Sequence, residues 1–327
     1  MSRVLVTGGA GTIGAAVVRR LLRDPAYEVR VADRRAAPRW MREGCEVRLI
    51  DLREPAQALK AIKGCTHVIH LAAVTEGVAG VQRLPYTLTE ANNALQNSVV
   101  GGALEVEVER FAYVSAAAVF ERAELFPTPE DYLPRCPVPT SAYGFSKLTG
   151  ERYCRAAHEQ HDLPYTICRL FNAYGPGEAP GDRAGAAHVV TDLIDKVLSG
   201  QAPVEIFGSG EQTRTLTYID DIADGVVAAM SSPAGLNEDF NISASRELTI
   251  ADTARLIWDA CGEDPDAFAL KKLPSPPGEE QRRRPSVQKA QKLLGWRAQI
   301  GLEDGIAATV RWLREHGSER EAPTRTA

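Results

Sequence analysis

Short, near-continuous apolar runs alternate with longer segments of helical spacing through the first half of the chain. Residues 4–6, 29–32, 47–50, 67–72 and 111–115 read as strands, and 165–170 as a sixth. Between them, 15–22, 55–62 and 90–104 have helical spacing or composition, the first closing at Asp24-Pro25. Strands apolar on both faces, alternating with helices, predict a doubly wound parallel sheet of the α/β class. Past residue 175 the pattern changes. A loop rich in Gly, Pro and charge covers 175–185, and helices then mix with short strands at 204–207, 216–219 and 240–242. Thr249 and Asp252 form a capping-box signal ahead of a helix over 254–260. The reading is a first domain over 1–175 and a smaller C-terminal α/β lobe over 176–316, expected to exchange strands with it. A frayed polar tail over 317–327 follows.

Composition narrows the class. At 44% hydrophobic and 25% charged, the 327 residues match a globular protein, not a disordered chain or a disulfide scaffold. No apolar run approaches the roughly 18 residues of a membrane span. Met1-Ser2-Arg3 leads straight into a strand and not into a signal peptide, so a cytoplasmic location is expected. A net charge of −5, without a basic half, argues against nucleic acid and membrane surfaces as partners. The six cysteines (Cys45, Cys65, Cys136, Cys154, Cys168, Cys261) are scattered without a C-x-x-C pair, a pattern of buried thiols in a reducing compartment. His158 and His161 share a helix but lack a third ligand, so no metal is expected and the pair reads as a solvated face.

Gly9-Ala10-Gly11-Thr12-Ile13-Gly14 is a G-x-G-x-x-G run directly after a strand and opening a helix. Such glycines permit a tight turn and let backbone N–H groups approach a pyrophosphate at the helix N-terminus. Gly8, Gly11, Thr12, Ile13 and Gly14 are therefore the candidate phosphate-side residues. Asp33 ends the next strand 19 residues beyond Gly14, where an acid accepts hydrogen bonds from the adenosine ribose. Loop and acid together point to a dinucleotide, and the carboxylate favours NAD over a 2′-phosphorylated cofactor. Arg34 and Arg35 keep NADP open, since an arginine there pairs with that phosphate.

Tyr143 and Lys147 stand four residues apart on an expected helix after Pro137-Val138-Pro139-Thr140-Ser141, which puts both on one face. An ammonium beside a phenol favours the phenolate and lowers the tyrosine pKa. A tyrosine tuned in this way moves a proton while hydride passes to or from nicotinamide.

Here the sequence resembles the extended short-chain dehydrogenase/reductase family, the nucleotide-sugar epimerases and dehydratases. The resemblance runs from Thr7-Gly8-Gly9-Ala10-Gly11 to Leu294-Gly295-Trp296. It includes His70-Leu71-Ala72-Ala73, Tyr143-Gly144-Phe145-Ser146-Lys147, Arg169-Leu170-Phe171-Asn172-Ala173-Tyr174-Gly175-Pro176 and Gly208-Ser209-Gly210-Glu211-Gln212-Thr213-Arg214. It implies a Rossmann-type NAD-binding domain, a substrate-binding second lobe and a nucleotide-sugar substrate. A homodimer is implied too, with the tyrosine-bearing helix and the helix over 90–104 packing across a two-fold axis. Residue by residue, it places Asp51 and Leu52 on the adenine and Leu71, Ala72 and Ala73 on the nicotinamide side. Asn172 falls near the substrate diphosphate, and Arg214 and Arg283 clamp that diphosphate.

One departure bears on the chemistry. The family's fifth strand runs through Ser/Thr into Val-Tyr-Gly, and one hydroxyl there bonds the reacting sugar oxygen. This chain reads Val114-Ser115-Ala116-Ala117-Ala118-Val119-Phe120-Glu121, so the hydroxyl position falls on Ala116. Ser115, a bound water or Thr75 are the candidate replacements, and Ser115 stands with Tyr143 and Lys147 as a candidate catalytic residue. The Asp-Glu pair of the 4,6-dehydratases and the Glu of the uronate decarboxylases map to Ala117 and Ala118, which disfavours elimination. Stretches such as Leu49-Ile50-Asp51-Leu52-Arg53 resemble GDP-mannose 3,5-epimerase, but its Cys/Lys acid–base pair maps to Ala118 and Arg183. The resemblance thus implies an NAD-dependent epimerase at carbon 4 of a UDP- or GDP-hexose, with Thr75, Ala116, Asn172, Arg183, Arg214 and Arg283 facing substrate. A 4-keto-sugar reductase using NAD(P)H, a 3,5-epimerase and a non-catalytic binding protein remain the alternatives.

Overall fold

The protein is described here from a computed structural model, which covers residues 1–75, 84–180, 187–275, 278 and 280–316. The first half contains β1 (Ser2–Thr7), α1 (Thr12–Leu22), β2 (Tyr27–Asp33), α2 (Arg39–Gly44), β3 (Glu46–Leu49), α3 (Pro55–Ile62) and β4 (His67–His70). After these come α4 (Pro85–Val106), β5 (Arg110–Ala116), α5 (Ala142–His161) and β6 (Tyr165–Leu170). The second half holds β7 (Ala173–Tyr174), α6 (Val189–Leu198), β8 (Val204–Phe207), β9 (Thr213–Thr215), β10 (Thr217–Tyr218), α7 (Ile219–Ser231) and β11 (Glu238–Ile242). The last elements are β12 (Glu247–Thr249), α8 (Ile250–Ala260), β13 (Leu270–Leu273), β14 (Arg282–Arg283), α9 (Gln288–Leu294) and α10 (Leu302–His316).

Seven strands form one sheet in the order β11-β6-β5-β4-β1-β2-β3, every neighbouring pair parallel. This is a Rossmann-type doubly wound fold. Alternation along each strand feeds both faces. Val4 and Val6 join Val17, Val18, Ile222 and Val226 under α1 and α7. Leu5, between them, points the other way and joins Ile62, Val99, Phe111, Cys154 and Ile167 under α3, α4 and α5. Each such buried side chain stabilises the fold by about 1.5–3 kcal/mol. A third core, with Val190, Ile194, Ile206, Trp258, Ile306 and Leu313, lies beneath the second half. The expected strand over 240–242 is part of β11, which pairs with β6 (Phe240 opposite Cys168) at the edge of the large sheet.

Several boundaries differ from the sequence reading. Helix α1 starts at Thr12 and α4 at Pro85, where a proline costs nothing because a first-turn N–H has no intrahelical partner. The strand expected over 216–219 ends at Tyr218, and Ile219 opens α7 with Asp220 and Asp221 in its first turn, where acids suit the helix dipole. Thr249 caps α8 by accepting from Asp252 N at 2.9 Å. His161 is exposed as expected and His158 is half-buried, its ring meeting Tyr165 edge-on at 5.6 Å and its Nδ1 lying 3.2 Å from Leu163 O. No described helix is long and apolar enough to cross a membrane. The tail over 317–327 and Arg183 lie outside the described residues.

Candidate active site

The site is built at the carboxyl ends of the parallel strands, around the point between β1 and β4 where the strand order reverses, the place such sheets bind ligands. The chain leaves β1 at Thr7 and turns at Gly8, whose φ is +70°. A Cβ there would lie 2.8 Å from the Ala72 backbone, and one on Gly14 would overlap the Gly8 carbonyl oxygen. The turn glycine is therefore Gly8, and the working spacing is Gly8, Gly11, Gly14. Gly9 is needed for a different contact, since its Cβ would meet the Val31 side chain at 2.7 Å. Gly11 caps α1 with no side-chain acceptor, so the N–H groups of Thr12, Ile13 and Gly14 face the turn as anion donors.

Asp33 closes this loop from β2. Its Oδ2 accepts from Ala10 N at 3.0 Å and its Oδ1 from Arg35 N at 2.9 Å, which leaves lone pairs for a ribose diol. Arg34 is exposed at the rim. Asp51 is bound by the Arg53 guanidinium, which holds its carboxyl below the usual range, and Leu52 beside it is buried. On the opposite side, Leu71 N donates to Thr7 O and Ala72 N to Thr7 Oγ1, both at 3.2 Å. Val74 N donates to Asn92 Oδ1 at 2.8 Å and Asn92 Nδ2 returns a bond to Val74 O at 3.0 Å. That clamp fixes the segment from Ala72 and Ala73 to the exposed Thr75. Asn92 was not singled out from sequence, although a polar residue in the apolar stripe Leu88, Asn92, Leu95, Val99 was a usable signal. Turn, uncapped helix start and carboxylate together fit a dinucleotide.

Tyr143 and Lys147 enter on α5, whose N-cap Ser141 accepts from Gly144 N at 3.0 Å. Lys147 Nζ donates to Val114 O at 2.8 Å and stands 6.0 Å from the centre of the Tyr143 ring. Burial lowers the lysine to about 8. The expected lowering of the tyrosine is not met: burial pushes the phenol up to about 12, and the charge that opposes this is Arg283. Desolvation of the phenolate outweighs the Arg283 charge.

Ser115 is taken out of the site. Its Oγ donates to Glu151 Oε1 at 2.6 Å, inside a buried network where Arg169 bonds Glu151 at 2.7–2.8 Å and Asp239 at 2.7 Å. The next residue, Ala116, faces the other way and presents only a methyl group. On the substrate side, β14 pairs with β9 so that Arg283 is opposite Arg214. Arg283 Nη1 donates to Asn172 Oδ1 at 3.2 Å, and Asn172, in the left-handed region at φ +41°, donates Nδ2 to Thr215 O at 2.9 Å. Arg214 Nη1 donates to Glu280 O at 2.9 Å. Asn172 and Arg214 thus flank Arg283, and Arg283 is near enough to Tyr143 for its charge to act on the phenol. Glu280, which sequence reading passed over, holds the Arg283 fork through its carboxylate.

Residues 4–243 match the NAD dependent epimerase/dehydratase family. The chain belongs to that family. It is 31% identical over 328 residues to UDP-glucose 4-epimerase of Mycolicibacterium smegmatis, covering 95% of this chain and 98% of that one. It is 29% identical over 322 residues to UDP-glucuronic acid decarboxylase 1 of Xenopus tropicalis, covering 96% of this chain and 72% of the relative. The crystal structure of UDP-glucuronic acid 4-epimerase from Bacillus cereus, in complex with UDP-glucuronic acid and NAD, superposes with a TM-score of 0.85 at 27% identity, covering 96% of this chain and 99% of the other.

As a member of the epimerase/dehydratase family the protein is an NAD-dependent enzyme. The glycine loop, Asp33 and the Ala72 segment are the part of this structure that suits NAD. Among the described residues no group of His, Cys, Asp and Glu is arranged to hold a metal ion.

Proposed function

We propose that the protein is a nucleotide-sugar epimerase acting at carbon 4 of a UDP- or GDP-hexose. The observation that carries the reading is the Tyr143–Lys147 pair set against β5 beside a wall of three alanines, Ala116 to Ala118. NAD, held by the glycine loop, Asp33 and the Lys147 ammonium, supplies a site that takes up a hydride and returns it. As the phenolate, Tyr143 Oη accepts the proton of the reacting hydroxyl, and the phenol so formed gives it back after the keto sugar has turned over. Arg283 is the charge that favours its phenolate. Arg214 and Arg283 hold the diphosphate with their guanidinium charge, and Asn172 and Glu280 orient Arg283. Elimination and decarboxylation need a proton carrier at the sugar, and Ala117 and Ala118 supply none.

The test is proton NMR with UDP- and GDP-sugars in D2O. Conversion without deuterium uptake is expected for the wild type, and Tyr143→Phe is expected to abolish it while NAD remains bound. Uptake at carbon 3 or 5 would replace this reading with a 3,5-epimerase. The missing hydroxyl at Ala116 favours one other reading, a reductase of a 4-keto-sugar nucleotide, which net consumption of NAD(P)H would reveal. The same reading takes the protein as a homodimer through α4 and α5, which expose Tyr86 and Phe145.

A further inference from the structure

We propose that Glu121 is a positioning residue for Tyr143, an inference that rests on the catalytic reading of that tyrosine. The catalytic scheme leaves Glu121 unused. Its carboxylate gathers the segment that leads into α5. Oε1 accepts from the Thr140 backbone N–H, from Thr140 Oγ1 at 2.8 Å and from Ser141 N at 2.8 Å, and Oε2 accepts from Ser141 Oγ. Ser141 Oγ in turn accepts from Gly144 N at 3.0 Å, and Phe145 N donates to Ser141 O at 2.9 Å. A chain of hydrogen bonds therefore runs from Glu121 through the N-cap into the first turn of the helix, where Tyr143 is the second residue.

Two features make this more than a cap. Glu121 ends the short helical turn Ala117–Phe120, its own N–H donating to Ala118 O at 3.2 Å. That turn continues β5 past Ala116, so one carboxylate ties the alanine wall of the sugar site to the helix that carries Tyr143. The two pieces are also in close contact, since a Cβ on Gly144 would lie 2.7 Å from Ala118 O. Secondly, all four donors to this carboxylate, three on Oε1 and one on Oε2, come from Thr140 and Ser141, so its pull falls on the segment that carries Tyr143 into the site. A negative charge at a helix N-terminus also suits the dipole.

The experiment compares wild type, Glu121→Ala and Glu121→Gln, each loaded with NAD. Amide hydrogen exchange at Thr140, Ser141 and Gly144 is expected to quicken at least tenfold in Glu121→Ala and less in Glu121→Gln, whose amide oxygen retains part of the set. With a converted nucleotide sugar, kcat is expected to fall about 10- to 100-fold, the scale of a misplacement of about 1 Å. KM should stay within about twofold, and the glutamine variant should recover part of the loss. Unchanged exchange overturns the proposal, and so does a rise in KM at constant kcat. If the wild type converts no nucleotide sugar, the 4-epimerase reading fails, while amide exchange still decides whether Glu121 pins the helix.

Discussion

At the scale of single residues, identity and role separate where the strand face decides them. Ser115 and Ala116 are neighbours, yet one is buried against Glu151 and the other ends β5 as a methyl group. Ser115→Ala is expected to cost about 1–3 kcal/mol in urea unfolding, the penalty for a buried charged acceptor losing a donor. Turnover per folded molecule should change less than twofold. A loss of 100-fold or more, the size of a deleted transition-state donor, would return Ser115 to the reaction. Lys147 gives a pH dependence. Its ammonium is lowered to about 8 by burial, against about 10.4 in an unfolded chain. Between those values the unfolded chain binds more protons, so stability rises with pH from about 8 to about 10, by at most about 3 kcal/mol. Urea melts at pH 7.5 and 9.5 should show that gain in the wild type and lose it in Lys147→Met.

At the scale of elements, the β1–α1 turn is the most constrained piece of the site. Gly8 combines a φ of +70° with a Cβ position 2.8 Å from the Ala72 backbone, so neither the turn nor β4 can give way cheaply. Gly8→Ala is expected to lower stability by about 1–3 kcal/mol through strain and to strip NAD, read as the nucleotide retained after gel filtration. Full NAD content at wild-type melting temperature would show that the loop tolerates a side chain. The glycine run announced this element, but not which glycine turns, because four glycines in the seven residues 8–14 satisfy more than one register. Helix starts were misjudged for a related reason. Thr12 and Pro85 lie ahead of the apolar periodicity, and no side-chain cap marks either start, so their helical state depends on packing that periodicity does not register.

At the scale of the whole molecule, the sheet order puts Asp33, Gly8, Ala72, Val114 and Asn172 along one edge, although they span 165 residues of the chain. Multi-angle light scattering at micromolar concentration is expected to give twice the 35.5 kDa chain mass, and Phe145→Glu on α5 should reduce it to the chain mass. A wild-type monomer would remove the homodimer. What the sequence determined by itself was local: parallel strands from doubly apolar runs, a dinucleotide loop with its acid, and a tyrosine and lysine one turn apart. Each of these is written in the spacing of a few residues. Only the tertiary structure decided which side of β5 Ser115 faces, that burial raises the Tyr143 phenol while the opposing charge comes from Arg283, and that Glu121 and Glu280 take up donors around the site. Those outcomes depend on desolvation and on contacts between segments far apart in the chain, and no local pattern encodes either.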